Sequence, residues 1–390
     1  MSRLFTILIV AGIVVLLAVP AVAWAVGPEE CYDHMSRRYT SALFVPDSYA
    51  YINEGHCVDV LDVTDPTHPI VISRSGREPI AQSISVLGPY LYLAGGPLAV
   101  LDVSDPCCPQ ETFNENWPGD LGSTAILGRH LYAGGSSLLV FDLSVPPTPQ
   151  VANILWDLNS WNAAISNRRL YLANNLLQIM DLVNPVTPTA IVNYGLPHGA
   201  NDVFVLDSLV YVPYGFTHKY SSFGGLMIID VSNPTSPNLL TDYELGVPIR
   251  AVAVAANHAY LVTEADSLFI LDVSDPTTPT QAGSLLHLFP PYYPSGIELV
   301  GNYAFVIGPH GLRVVDVSDP AAPVVVGVYN TSPDVTGDGD RVNVVDIQTI
   351  ASLLGQEPST VNEQMADLDG DGMVDLVDLT LAASRWRWFP

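Results

Sequence analysis

The sequence predicts an all-β fold, a seven-bladed β-propeller followed by a small α-helical module, on three observations. A short string occurs seven times, an apolar run that ends in Asp and turns through Asp-x-x-x-Pro-x-x-Pro. Roughly forty residues separate successive copies, which is the content of one four-stranded blade. The pattern stops at Thr331-Ser332-Pro333, where acidic loops and apolar helical runs begin.

The copies read Asp62…Pro66…Pro69, Asp102…Pro106…Pro109, Asp142…Pro146…Pro149 and Asp181…Pro185…Pro188, then Asp230…Pro234…Pro237, Asp272…Pro276…Pro279 and Asp316…Pro320…Pro323. The intervals between the leading Asp residues are 40, 40, 39, 49, 42 and 44. The last copy shows the anatomy. Strands are expected at Ser295 to Gly301, Tyr303 to Ile307, Leu312 to Val317 and Val324 to Tyr329. Gly or Asn falls in the connections, where a positive φ is often required. A closed ring of blades shields sheet edges that would otherwise pair with other chains. The repeated Asp and Pro have a structural reading: Asp accepts backbone N–H bonds in tight turns and Pro presets φ. A cation site in every turn would need several convergent oxygens, which the string does not supply.

Composition agrees. Hydrophobic residues make up 48% and charged residues 14%, which supports a large core and argues against disorder. The 32 Pro and 29 Gly fit many turns. The formal charge of −26, with 14 Lys plus Arg, excludes nucleic acid as a partner class, because phosphate contact needs basic side chains.

Segments such as Leu98-Ala-Val-Leu-Asp102-Val-Ser-Asp-Pro106 and Leu312-Arg-Val-Val-Asp316-Val-Ser-Asp-Pro320 resemble LVIVD repeats. The resemblance covers about residues 39 to 330. It implies a propeller of the kind found in exported or surface proteins, generally without an assigned enzymatic activity. Ser144-Val145-Pro146 and Val183-Asn184-Pro185 depart from the pattern in the third and fourth copies.

Two acidic loops follow. Asp367, Asp369, Asp371, Asp375 and Asp378 stand at positions 1, 3, 5, 9 and 12 of a loop with Gly372 at 6 and Met373 at 7, whose carbonyl is the expected seventh-position ligand. That spacing converges oxygens on one hard cation, as in EF-hand calcium loops. The upstream loop carries Asp334, Thr336, Asp338, Asp340, Asn343 and Asp346 with one surplus residue near Asp340-Arg341. Two calcium sites are expected, the second loop being the more regular. Each loop precedes an apolar helical run, Ile347 to Leu354 and Leu379 to Trp386. This duplicated loop-helix unit resembles a dockerin module over about residues 333 to 388. The resemblance implies calcium-dependent docking to a cohesin-like or other surface protein. The pairs Val344-Val345 and Leu376-Val377 are apolar at positions that help select the cohesin in many cellulosomal dockerins, and so depart from that pattern.

The N-terminus reads as an export signal. Arg3 precedes the apolar run Leu4 to Val19, then Pro20 and the small-residue stretch Ala21-Val22-Ala23-Trp24-Ala25. Residues 1–25 are expected to be a cleaved signal, the alternative being an uncleaved anchor, and 26–38 a lead into the propeller. The expected location is secreted or cell surface. Export permits disulfides, and Cys31 with Cys57 would tie the lead to the first repeat; Cys107 and Cys108 are neighbours in a turn.

Two functions compete. In the first, the propeller is a non-catalytic recognition disc for a glycan or protein ligand. Its blade-to-blade stretches are rich in aromatics: Trp117, Trp156, Trp161, Tyr194, His198, Tyr243, Phe289, Tyr292 and Tyr293. A long fifth-copy loop, Tyr214 to Gly225, adds His218, Lys219 and Tyr220. Aromatic faces stack on sugar rings and anchor protein interfaces; alternatively these rings pack the loops onto the disc. In the second, the chain is a carbohydrate-active hydrolase or lyase with its site at the channel mouth. Glu78, Asp120, Asp157, Asp202 and Glu244 are scattered candidate acids without the recurrence of an acid–base pair.

Overall fold

The computed structural model describes residues 6–10, 13–17 and 40–330, less 46–47, 55–56, 76–80, 118–120, 157, 159–161, 219–220, 290–293 and 309–310. Within the expected export signal, β1 (Thr6–Val10) pairs antiparallel with β2 (Ile13–Leu17). The two acidic loops, with all twelve expected calcium ligands and the helical runs, lie outside the described residues.

Seven four-stranded sheets follow, each a simple antiparallel meander. The first blade holds β3 (Thr40–Phe44), β4 (Tyr49–Glu54), β5 (Cys57–Asp62) and β6 (Ile70–Arg74); the second holds β7 (Ser83–Leu87), β8 (Tyr90–Ala94), β9 (Leu98–Asp102) and β10 (Gln110–Glu115). The third holds β11 (Leu121–Leu127), β12 (His130–Gly135), β13 (Leu138–Asp142) and β14 (Gln150–Leu155); the fourth holds β15 (Asn162–Ser166), β16 (Arg169–Ala173), β17 (Leu176–Asp181) and β18 (Thr189–Gly195). The fifth holds β19 (Phe204–Leu206), β20 (Leu209–His218), β21 (Ser221–Asp230) and β22 (Asn238–Glu244). The sixth holds β23 (Ile249–Ala255), β24 (His258–Thr263), β25 (Ser267–Asp272) and β26 (Thr280–Leu286). The seventh holds β27 (Gly296–Val300), β28 (Tyr303–Gly308), β29 (Gly311–Asp316) and β30 (Val324–Asn330). The first strands neighbour one another in sequence around the axis, and β27 returns to β3, so the ring is closed.

Second and third strands read as near-continuous apolar runs because each blade is covered on both faces by its neighbours. Leu98, Ala99, Val100 and Leu101 of β9 are all fully buried. An aromatic ring recurs at the third position of every second strand: Tyr51, Tyr92, Tyr132, Tyr171, Tyr211, Tyr260 and Phe305, each buried. These rings wedge between blades, where burying an aromatic contributes more than any aliphatic at the same position. Fourth strands form the rim; that of the second blade, Gln110–Glu115, is polar, which protects its outer edge.

The repeated Asp has the structural role expected. In all seven copies its Oδ1 accepts the N–H two residues on, from Thr64, Ser104, Ser144, Val183, Ser232, Ser274 and Ser318 at 2.7–2.9 Å. This N–H bond holds the carboxyls of Asp102, Asp142, Asp272 and Asp316 below the ordinary carboxylate range. The turn then docks on the fourth strand of the preceding blade. Each fourth strand carries a one-residue bulge, after which Ser73, Asn153, Gly283 or Gly327 meets the next turn. Ser73 Oγ donates to Pro106 O and Asn153 Nδ2 to Val186 O, while Gly283 and Gly327 approach Pro320 O and Pro66 O too closely to admit a Cβ.

The ring closes without strand exchange. Val45 N–H donates to Glu298 Oε2 at 2.8 Å, and Tyr329 OH to Asp59 Oδ2 at 2.5 Å. Asp59 is fully buried and held by a two-pronged bond from Arg74. Ala50, Ile52 and Leu61 share one core cluster with Phe305, Ile307 and Leu312 across the seam. Cys57 is disulfide-bonded, its expected partner Cys31 lying outside the described residues, and Cys107 and Cys108 are free and exposed.

Candidate functional site

The fifth blade departs from the other six. The long loop expected from Tyr214 to Gly225 is instead a continued antiparallel ladder running from Leu209↔Asp230 out to His218↔Ser221. Both strands are ten residues long, against five to seven in most others, so the hairpin projects at the end of the blade where blade-to-blade connections also lie. The interval of 49 between the fourth and fifth Asp was the sequence sign of this extension.

The hairpin is anchored to its surroundings. Leu245 N–H and Gly246 N–H donate to Gly224 O, at 2.9 and 3.0 Å. Asn201 Nδ2 bridges Gly215 O and Ile249 O, both at 2.9 Å. Thr217 Oγ1 donates to Glu264 Oε2 at 2.5 Å, and Arg250 grips the other oxygen of Glu264 at 2.6 Å.

On this base sits an aromatic cluster. His198, from the connection before β19, stacks on Tyr214 with centroids 4.2 Å apart and planes at 20°. Phe223 meets His198 edge-on at 5.4 Å, and Phe216 meets Phe223 edge-on at 4.8 Å. Asp242, on β22, joins the pair: Tyr214 OH donates to Oδ1 at 2.7 Å and His198 Nε2 lies 3.2 Å from Oδ2. Burial and the Asp242 carboxylate push the Tyr214 hydroxyl well above its ordinary range, so it stays a donor. Gly225 makes this possible, because a Cβ there would collide with the Tyr214 ring. Phe216 is 56% exposed at the edge of the cluster.

The other predicted face residues divide. Trp156 is 59% exposed. Tyr194 and Tyr243 are half-buried and pack into the clusters between blades. Trp117 is turned inward, edge-on to Phe141 at 5.4 Å, with its Nε1 buried and unpartnered among the described residues. Phe289 is buried beneath Arg313, whose guanidinium lies 4.8 Å from the ring centroid. Trp161, Tyr292 and Tyr293 lie outside the described residues, and His218 is described in its backbone alone. Sequence reasoning missed Phe216, Phe223 and Asp242.

Of the candidate acids, Glu78, Asp120 and Asp157 lie outside the described residues. Asp202 is a stitch between blades: its Oδ1 accepts Val203 N–H at 2.8 Å and its Oδ2 accepts Val252 N–H at 3.2 Å. Burial pushes its carboxyl up to about 6. Glu244 is exposed. Among the described residues no three His, Cys, Asp or Glu side chains gather as a metal site. The cluster leaves one ring, Phe216, exposed beside the part-exposed polar groups of His198 and Asp242, while Tyr214 is buried beneath them.

Comparison with known families places these features. The LVIVD repeat family matches residues 37–75, 80–116, 221–244, 249–286 and 293–331, and the dockerin type I domain family matches residues 332–384. The chain carries LVIVD repeats and a dockerin type I domain. The LVIVD matches skip the third and fourth blades, where the turn strings depart at Val145 and Asn184. Dockerin type I domains bind calcium and imply a cohesin-type protein partner. They are typical of extracellular or cell-surface proteins, and no described helix is long and apolar enough to cross a membrane. No curated protein matches the chain. Among solved structures, the chain is similar to the Myceliophteria thermophila Cps50 (Swd1) β-propeller domain, at 13% identity and TM-score 0.54 over 70% of this chain and 93% of that one. It is also similar to Saccharomyces cerevisiae Sqt1, at 9% identity and TM-score 0.55 over 76% and 87%. At these identities the likeness concerns the fold.

Proposed function

We propose that this is a secreted or surface-attached, non-catalytic binding protein whose propeller presents a ligand site on the fifth blade. Its dockerin domain, over about residues 333–388, docks it to a partner through two calcium-filled loops. Asp367, Asp369, Asp371, Met373, Asp375 and Asp378 hold the more regular ion. Asp334, Thr336, Asp338, Asp340, Asn343 and Asp346 hold the other.

The observation that carries the propeller reading is Phe216, exposed on a projecting hairpin whose root is fixed by Tyr214, His198 and Asp242. A rigid hairpin that presents an apolar ring to water costs solvation unless something covers it. His198 and Asp242 supply hydrogen-bonding capacity beside it, which fits a sugar ring or a protein loop with polar edges. Binding screens on glycan and surface-protein arrays test this, repeated with Phe216→Ala and His198→Ala. Folded variants that retain all wild-type binding would overturn the reading.

A further inference from the structure

Basic side chains are scarce in this chain, and most of the described ones are committed. Arg74 is held by Asp59 and Arg250 by Glu264. Arg313 is buried and donates to Asn330 Oδ1 and to the carbonyl of Leu312. Arg169 lies against the Tyr171 hydroxyl. Arg129 and Arg168 take part in no ion pair among the described residues, and the only hydrogen bond of either guanidinium there is a long one, from Arg168 Nη2 to Val183 O at 3.4 Å.

These two arginines occupy equivalent positions. In every blade the residue three before the buried second-strand aromatic accepts, through its carbonyl, the N–H of the residue after the repeated Asp. The acceptors are Ser48, Pro89, Arg129, Arg168, Ser208, Asn257 and Asn302. The side chain is cationic only in the third and fourth blades, which are neighbours. Both arginines are exposed and line one cleft, with His130 beside them. Its apolar wall is Leu127, Leu182 and Pro185, and its volume is about 280 Å³. Arg168 holds φ +58, in a turn position where Asn or Gly is the unstrained choice. Asp142, whose carboxyl feels the His130 and Arg129 charges, is already bonded by Ser144 N–H and pairs with neither.

We infer that the cleft between the third and fourth blades binds a carboxylate-bearing small molecule of about monosaccharide size. A planar guanidinium fork matches a carboxylate. The volume of about 280 Å³ lies just under the range of about 300–1,000 Å³ typical of ligand pockets, which suits a single ring. The formal charge of −26 repels dense polyanions but acts less on a single carboxylate. The cleft lies at the end of the strands opposite the fifth-blade hairpin, because one- and three-strand connections share one end of a meander.

Calorimetric titration of the full-length protein with calcium present tests this, using glucuronate, glucose and acetate as probes. Glucuronate is expected to bind at least tenfold more tightly than either of the others. Arg129→Gln with Arg168→Gln is expected to abolish that preference at unchanged Tm, and Arg168→Lys to restore part of it. Glucose binding as tightly as glucuronate overturns the charge argument. Acetate binding as tightly reduces the site to a bare anion contact and overturns the size argument. Undetectable glucuronate binding, or binding untouched by the double substitution, overturns the site itself.

Discussion

Replacing Glu298 by glutamine isolates the energetics of ring closure. Glu298 sits on β27 and accepts Val45 N–H at 2.8 Å across the seam between the seventh and first blades. Burial pushes its carboxyl from 4.5 up to about 7, even though the Val45 bond pulls the other way. The folded chain therefore holds this proton to a higher pH than the unfolded chain does. The stability gained from the neutral form is fully present below 4.5 and is lost as pH rises through about 7. That gap is worth about 3 kcal/mol at most, since the side chain keeps some contact with solvent. Glutamine retains an acceptor for Val45 and never ionises. Glu298→Gln is expected to leave Tm unchanged near pH 4.5 and to raise it at pH 8, by roughly 6 °C for a domain of this size. Thermal unfolding of both proteins across that range, followed by near-ultraviolet circular dichroism, reads the difference. An equal Tm gap at both ends of the range, or a Tm lowered at pH 8, refutes the buried-charge account.

Four other outcomes follow from the same structure. Burial also pushes Asp202 and Asp266 up to about 6, whereas the turn carboxyls are held low. Wild-type Tm is therefore expected to rise as pH falls from 7.5 to about 5 and to drop again below about 3.5, where the turn Asp residues take up protons. Chelation of calcium is expected to make residues 333–388 protease-sensitive and to leave the propeller resistant, with Asp367→Ala more damaging than Asp334→Ala; limited proteolysis checks both. Phe216→Ala is expected to weaken ligand binding roughly thirtyfold at constant Tm, the scale of a hot-spot aromatic worth about 2 kcal/mol. Native protein is expected to release two equivalents in a thiol assay, from exposed Cys107 and Cys108, and a count of zero would show the pair oxidised.

Much of the propeller could be read from the turn string, because its role is local. An Asp two residues before an N–H makes the same bond wherever it occurs, and counting strings counts blades. The strands of the seventh blade fall within two residues of the expected spans for the same reason: alternation and turn chemistry act over a few residues. The bulge in every fourth strand was not legible, since those rim strands lack a strict alternation that one extra residue would break. Nor was the fate of Trp117. Its place in a connection says which end of the blade it occupies, but the direction of the ring depends on Phe141, a residue distant in sequence. The fifth-blade extension was visible only as a length, 49 against about 40, and length does not distinguish a loop from a continued ladder. Asp242 joined the site because the bulge in β22 sets the register that brings it to Tyr214, and no sequence signal marks that pairing.

In a repeat protein the shared features explain the scaffold, and function has to come from the departures. The Asp turn, the wedge aromatic and the fourth-strand bulge occur in all seven blades and have complete structural accounts. What remains is the projecting fifth hairpin and the two arginine turns. The hairpin lies at the end of the strands where β30 finishes at Asn330, immediately before the dockerin match at residue 332. The chain thus leaves the propeller on the side that carries Phe216. On the function proposed above, a partner held through the dockerin domain would be tethered by a chain that leaves the propeller at this end, which would raise its effective concentration at the fifth-blade site. The arginine cleft, at the other end of the strands, stays open to solution. If both proposals hold, one chain would bind a docked partner and a small anionic ligand at opposite ends of the strands, and saturating either site is expected to leave the affinity of the other unchanged.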